Sequence, residues 1–130
     1  MDRTTSLNKV LKYLQSRSPD VVAAALISDD GLPIATALPL EFDDIRVGGM
    51  SATLLSLGTR ASFELQRGDV TEVIVRGEFG YAVMVKADQG VLLLVVANED
   101  AKLGMIFFDM REAISAIKQI LWHSNKVATA

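Results

Sequence analysis

Two short runs of uninterrupted apolar residues constrain the fold of this chain more than any other feature. They are Val21–Ile27 and Val91–Ala97. A strand with one face in water alternates apolar and polar residues, whereas a continuous run is typical of a strand covered on both faces. Both runs fall far short of the roughly 20 residues that a membrane-spanning helix needs, so we expect no membrane insertion. We predict that the two runs lie side by side at the centre of a sheet, with helices on both faces.

Three segments show the spacing of amphipathic helices. The first is expected to start at a cap formed by Thr5 or Ser6 and to end at Ser18-Pro19. Its apolar positions are Leu7, Val10, Leu11 and Leu14. The second is long and spans roughly residues 43–66, with Asp43 or Asp44 available to cap it. The third is predicted near residues 101–122.

Turn signals divide the remaining chain into three further strands. Asp29-Asp30-Gly31 leads into a short strand, Ile34–Leu38, which prolines bracket, and proline confines a strand to an edge of the sheet. Val70–Arg76 and Tyr81–Lys86 are the next two strands. Strands that follow one another through short turns pair as an antiparallel meander. The class is therefore α+β, and we predict a five-stranded antiparallel sheet in the order 2-1-5-4-3.

Composition narrows the possible functions. The chain has 130 residues, for which we expect one domain over residues 1–122 and a flexible tail over 123–130. It has no cysteine and one histidine, His123, which excludes thiolate chemistry and multi-histidine metal sites. The net charge of −3 argues against a nucleic-acid partner. The N-terminus lacks the apolar stretch of a secretory signal, so we expect a cytoplasmic protein.

The usual catalytic motifs are missing from the sequence. Gly77 and Gly80 bracket a turn between two strands, whereas phosphate-binding glycines join a strand to a helix. The serines of the long helix do not lie in a Gly-x-Ser-x-Gly elbow. His123, at the end of the last helix, is expected to act as a cap. We predict a protein that is not an enzyme and has no cofactor.

The long helix carries apolar or small residues on two faces. We expect the first face to pack on the sheet. It contains Val47, Met50, Leu54, Leu57, Gly58, Ala61 and Leu65. The opposite face is unusually small and apolar for a surface in contact with water. It contains Ile45, Gly48, Gly49, Ala52, Ser56, Thr59 and Phe63.

Two consecutive glycines in this second face need an explanation. Each costs about 0.5–1 kcal/mol relative to alanine inside a helix. Small residues let another backbone come close, so we interpret this face as a contact with the same helix of a second copy about a twofold axis. The alternative is that Gly48 and Gly49 mark a kink or a late helix start near Met50.

The strand Val70–Arg76 supplies a second candidate contact. It lies at an edge of the predicted sheet, and its predicted inward set is Thr71, Val73 and Val75. An apolar edge strand promotes aggregation unless it is covered or paired. Pairing with the same strand of a second copy removes the free edge. The alternative is that the charges of Glu72 and Arg76 protect the edge without any partner.

The pattern resembles the roadblock family, which includes dynein light chains and GTPase regulators. The resemblance covers residues 6–121 and rests on the order of the elements and on one signature. That signature is a buried strand, an Asp-Gly turn and a strand of small apolar residues, seen here in Val22–Ala35. It implies a profilin-like three-layer sandwich with the long helix on one face of the sheet and the two terminal helices on the other.

The resemblance also implies a function. Roadblock proteins are homodimers that bind small Ras-like GTPases as scaffolds or regulators, often in bacterial or archaeal polarity and motility. Members that act like GTPase-activating proteins reposition the residues of the GTPase itself. Arg46, Arg60 and Arg67 are exposed candidates for contact with the GTPase. The alternative function is a small-molecule sensor of PAS-like or profilin-like architecture, which requires a pocket with converging polar groups.

Overall fold

A single antiparallel sheet organises the molecule. The computed structural model describes the backbone of residues 2–129 and the side chains of residues 2–123. The elements in chain order are α1 (Arg3–Arg17), β1 (Val21–Ser28), β2 (Pro33–Ala37), α2 (Asp44–Glu64), β3 (Val73–Gly77), β4 (Gly80–Asp88), β5 (Val91–Asn98) and α3 (Leu103–Thr129). The strand order is β2-β1-β5-β4-β3, which confirms the predicted topology.

The two continuous apolar runs form the central strands, as predicted. In the pairing of β1 with β5, Ala25 lies opposite Leu94 and Leu26 lies opposite Leu93. Because successive side chains of a strand point to opposite faces, these two pairs supply two different cores. Leu26 and Leu93 belong to the core under α1 and α3. Ala25 and Leu94 belong to the core under α2.

The helices complete three layers. Leu7, Leu11 and Ile117 bring α1 and α3 onto one face of the sheet, where all three side chains are fully buried. Leu55 anchors α2 on the opposite face. The predicted arrangement, with one helix on one side and two on the other, is therefore confirmed.

Aspartate caps define where two helices begin. Asp43 accepts hydrogen bonds from the backbone N–H groups of Ile45 at 3.0 Å and Arg46 at 3.2 Å, as predicted for α2. The cap of α1 differs from the prediction, because Asp2 accepts from the N–H of Thr5 at 2.7 Å and Thr5 lies inside the helix. This backbone hydrogen bond holds the pKa of Asp2 below its usual value.

Two boundaries lie elsewhere than the sequence predicts. The strand β3 begins at Val73 instead of Val70, so Thr71 precedes the paired residues. The chain between α2 and β3 forms a turn that leads back to the sheet. That turn contains positive φ angles at Gln66 and Gly68. The helix α3 runs to Thr129, so the stretch predicted to be a tail is helical as far as its backbone is described. Ala130 lies outside the described residues.

Candidate functional site

The inward face of α2 differs in part from the prediction. Its buried residues are Gly48, Ser51 and Leu55. Met50 and Leu57, which were expected to pack on the sheet, are 54% and 58% exposed. Gly48 therefore belongs to the internal face of the helix and does not lie on its outer surface, which corrects its assignment to an intermolecular contact.

A close approach to the turn between β1 and β2 explains why Gly48 lies inward. A Cβ atom added to Gly48 would lie 2.3 Å from the carbonyl oxygen of Gly31. Only glycine at position 48 lets α2 come this near to the turn. Because the helix begins at Asp44 and includes both glycines, the late start considered from the sequence is not adopted.

The outward surface of α2 is a continuous apolar stripe, which we call the outer stripe. It consists of Met50, Leu54, Leu57, Ala61 and Leu65. Leu54 is 37% exposed and Leu65, the C-cap residue, is 69% exposed. A row of large apolar side chains at helical spacing along an exposed helix is typical of a contact surface rather than of a solvated one.

The other residues predicted at the intermolecular face lie along one flank of α2. Ile45 and Phe63 are 74% and 79% exposed. Gly49, Ser56 and Thr59 are also exposed. Ala52 is partly buried and packs against the core under the helix. The predicted set is thus divided between an exposed flank and the inner face, and the outer stripe consists of residues that were expected to pack on the sheet.

A cavity of about 550 Å³ opens between this flank and the sheet. Its floor includes Leu55 and Leu92, which are almost fully buried. Its rim carries charges of both signs, from Asp29, Arg60, Asp69 and Lys86. The helix contributes Ala52, Ser56, Thr59 and Phe63 to its wall.

The outer stripe is continuous with the free edge of the sheet. A Cβ atom on Gly58 would lie 2.5 Å from a methyl group of Val73, so the second half of α2 lies close to β3. Within the sheet, β3 pairs with β4 alone. Val75 lies on the same face of β3 as Val73, which packs against the core under α2, and Val75 is 43% exposed. Stripe and edge strand together form one apolar surface.

Charged residues border this surface. Arg46 and Arg60 lie on the exposed side of α2, and Arg60 forms an ion pair with Glu64 at 3.0 Å. Arg67 follows the helix and donates to the carbonyl oxygen of Leu65 at 3.1 Å. All three arginines are exposed. Arg60 and Arg67 lie toward the end of α2 and the turn that follows it, and Arg46 lies near the start of the helix, about 21 Å along its axis from Arg60.

Among the described residues, no group of histidine and acidic side chains is arranged to hold a metal ion. Within the described part of the chain, no helix combines the length and the hydropathy needed to cross a bilayer.

Comparison with known proteins identifies the family. The model of the Roadblock/LC7 domain matches residues 7–97, which run from α1 through the last strand. The chain belongs to the Roadblock/LC7 family. It is also 30% identical over 112 residues to the uncharacterized protein MJ0310 of Methanocaldococcus jannaschii, a match that covers 86% of this chain and 96% of that protein.

Solved structures show the same fold in other Roadblock/LC7 proteins. A Roadblock/LC7 domain from Streptomyces avermitilis superposes with a TM-score of 0.83 at 23% identity, covering 88% of this chain and 97% of that one. MglB of Myxococcus xanthus superposes with a TM-score of 0.84 at 15% identity, covering 95% and 92% of the two chains.

Proposed function

We propose that this Roadblock/LC7 domain is a homodimeric, non-enzymatic binding module that regulates or scaffolds a small Ras-like GTPase in the cytoplasm. The observation that supports it best is the outer stripe of α2. Met50, Leu54 and Leu57 are large apolar residues on consecutive turns of a rigid helix, and between 37% and 58% of each is exposed in the isolated chain. Burying such a row against a second copy removes the exposed surface from water.

The twofold arrangement uses both parts of the apolar surface. Two α2 helices pack against each other through their outer stripes. The adjacent free edges of β3, around Val73 and Val75, then face each other and extend the two sheets into one. The interface proposed here therefore includes β3, as the sequence predicts. On α2 it uses the large residues of the outer stripe and not the small residues predicted from the sequence.

The flanking arginines provide the surface for the GTPase. Arg46, Arg60 and Arg67 remain outside the outer stripe, so they stay accessible in the dimer. Arginine side chains are common at the energetic centres of protein interfaces, because they combine charge with a large contact area. No step of chemistry is assigned to them. They position the GTPase on the dimer.

The dimer is tested by light scattering coupled to size-exclusion chromatography. The wild-type protein is expected at twice 14.1 kDa. Leu57→Glu places a charge inside the proposed contact, which costs about 3–5 kcal/mol when the charge is buried without a partner, so this variant is expected to be monomeric or strongly weakened. Leu40→Glu is the control, since Leu40 is fully exposed and lies outside the outer stripe.

The GTPase is tested separately. Titration calorimetry is performed with a Ras-like GTPase from the same organism, loaded with GDP or with a non-hydrolysable GTP analogue. Binding that depends on the nucleotide supports the proposal. A wild-type monomer at about 50 µM, or dimers that survive Leu57→Glu unchanged, contradict the interface, and the absence of binding to every Ras-like GTPase tested contradicts the function.

The small-molecule sensor remains a second candidate because of the flank cavity. Its 550 Å³ lie within the range of ligand pockets, and its rim carries two basic and two acidic side chains. Thermal shifts with a panel of anionic and zwitterionic metabolites test it. A shift that Lys86→Ala abolishes would favour this function, since Lys86 lies on the rim and outside the outer stripe.

A further inference from the structure

The face of the molecule opposite α2 carries a groove that the proposed function does not use. The groove lies between α1 and α3 and contains a cavity of about 250 Å³. Val10 and Leu14 of α1 and Ala113 and Ala116 of α3 line it. The two alanines leave a space where larger residues would close the contact between the helices.

A second cavity, of about 190 Å³, continues the groove toward the start of α3. The two cavities share Arg17 and Asp109 in their walls. Arg17 forms an ion pair with Glu112 at 3.3 Å, and the buried carboxylate of Asp109 accepts a hydrogen bond from the Ser18 hydroxyl. In the middle of the groove, Arg17 and Glu112 are thus paired with each other, and Asp109 is hydrogen-bonded within the chain.

The two ends of the groove have opposite charge. Lys9 lines the end near Ala116. Asp20 and Asp100 line the other end, where Lys102 is the nearby basic residue. A second groove turned by 180° about an axis through the middle would therefore present its lysine to these aspartates and its aspartates to this lysine.

An exposed apolar side chain lies along the groove from the larger cavity. Met105 is 58% exposed and belongs to the helical row that contains Asp109, Glu112 and Ala116. From the helical rise, it lies about 11 Å along α3 from the centre of the larger cavity. A methionine chain is flexible and fills irregular cavities well. The face therefore carries a projecting side chain and a space that can receive one.

We propose that a second copy of this chain docks on the α1–α3 groove about a twofold axis near Asp109. Met105 of each copy enters the larger cavity of the other, and Lys9 of each copy pairs with Asp20 and Asp100 of the other. A second copy is the preferred occupant because the same surface carries both members of each contact. It carries Met105 and the cavity that can receive it, and it carries the lysine at one end and the aspartates at the other. Such self-complementarity is what a twofold contact requires.

This contact lies on the side of the sheet opposite the outer stripe of α2. It therefore does not depend on the proposed dimer, and the two contacts together produce a tetramer. The groove is small, so we expect a weak association that dissociates on dilution in the micromolar range.

Sedimentation velocity from about 5 to about 500 µM tests the contact. The wild-type protein is expected to pass from dimer to tetramer as concentration rises. Leu57→Glu, which removes the α2 contact, is expected to pass from monomer to dimer through the groove. Adding Met105→Glu to Leu57→Glu is expected to leave a monomer at every concentration.

A charge exchange separates this geometry from other contacts. Lys9→Glu and Asp100→Lys are each expected to weaken the groove contact by about tenfold or more, and their combination is expected to restore most of the affinity. Lys12→Glu is the control, because it makes the same charge change on α1 outside the groove.

The outcomes distinguish this proposal from the proposed function. A wild-type protein that remains a dimer at about 500 µM overturns the groove contact and leaves the groove to a different partner. Failure of the double charge exchange overturns the stated geometry. Protein that Met105→Glu alone makes monomeric, and that Leu57→Glu does not affect, contradicts the α2 dimer and supports the groove contact.

Discussion

The hydroxyl of Ser18, at the end of α1, donates a hydrogen bond to the carboxylate of Asp109 in α3, and both residues are about 6% exposed. The bond joins the two helices of one layer at the point where the chain leaves α1 for the central strand. A buried carboxylate that loses its donor bears a desolvation cost without compensation.

We expect Ser18→Ala to lower the free energy of unfolding by about 1–3 kcal/mol, because Asp109 stays buried without this donor. Urea denaturation at fixed protein concentration measures the change. Ser16→Ala is the control, since Ser16 is exposed and donates to the carbonyl oxygen of Tyr13 within the same helix. Equal stability of the two variants would show that the Ser18–Asp109 bond contributes nothing.

The glycine pair of α2 provides a direct test of which face lies inward. Gly48→Ala is expected to destabilise the fold by about 2 kcal/mol or more, because its Cβ would collide with the backbone of Gly31. Gly49→Ala has no atom within 4 Å of its new Cβ and is expected to stabilise the helix by about 0.5–1 kcal/mol. Thermal melts of both variants in parallel decide it, and changes of the same sign would contradict this orientation.

The turn between β3 and β4 contains a second such pair. Gly80 has a φ of 141°, and an added Cβ would lie 2.1 Å from the carbonyl oxygen of Ala97. We expect Gly80→Ala to cost about 2 kcal/mol or more in denaturant unfolding, because it combines backbone strain with a collision. At Gly77 the nearest atom is 3.9 Å away, so Gly77→Ala is expected to cost less than about 1 kcal/mol. A similar loss at both positions would refute the assigned strain.

A charge reversal at Arg60, which forms an ion pair with Glu64, is expected to affect partner binding much more than the stability of the fold. Both side chains are largely exposed, so Arg60→Glu is expected to change the free energy of unfolding by no more than about 1 kcal/mol. The same variant is expected to weaken binding of the proposed GTPase partner by about tenfold or more, because a charge reversal in an interface opposes the partner's charge. Calorimetry and denaturation on the same preparation measure both effects. Arg111→Glu, an exposed arginine of α3 on the other side of the sheet, should leave GTPase binding unchanged.

The sheet could be predicted from the sequence because its signals are local and strong. The continuous runs identified both central strands. The short turns at Asp29–Gly31 and Asp88–Gly90 indicated that each central strand pairs with its neighbour in the chain, β1 with β2 and β5 with β4. The strand order followed from those two facts. Asp43 was also found as a cap, because a cap depends on residues within one turn.

The orientation of α2 could not be predicted in the same way. Its large residues, such as Met50 and Leu57, are on the outside, and its inner face contains Gly48 and Ser51. Hydrophobic periodicity assigns large apolar residues to the core, but here the approach of the helix to Gly31 determines which residues fit beneath it. The distance between α2 and Gly31 is a property of the tertiary structure, and local sequence spacing does not reveal it. The signal in the sequence was the glycine pair itself, which was correctly read as a close approach but assigned to the wrong neighbour at Gly48.

The two edges of the sheet differ in how easily another strand can pair with them. Along one margin β2 begins with Pro33 and lies beside α1, and along the other β3 offers backbone groups that no strand engages within residues 2–129. In the proposed dimer, where two copies meet through β3, the enlarged sheet would end on both sides at β2, whose first residue, Pro33, has no N–H group to donate. Proline in an edge strand is one of the devices by which sheets resist further strand addition, so pairing through β3 would leave exposed only the edges that carry it.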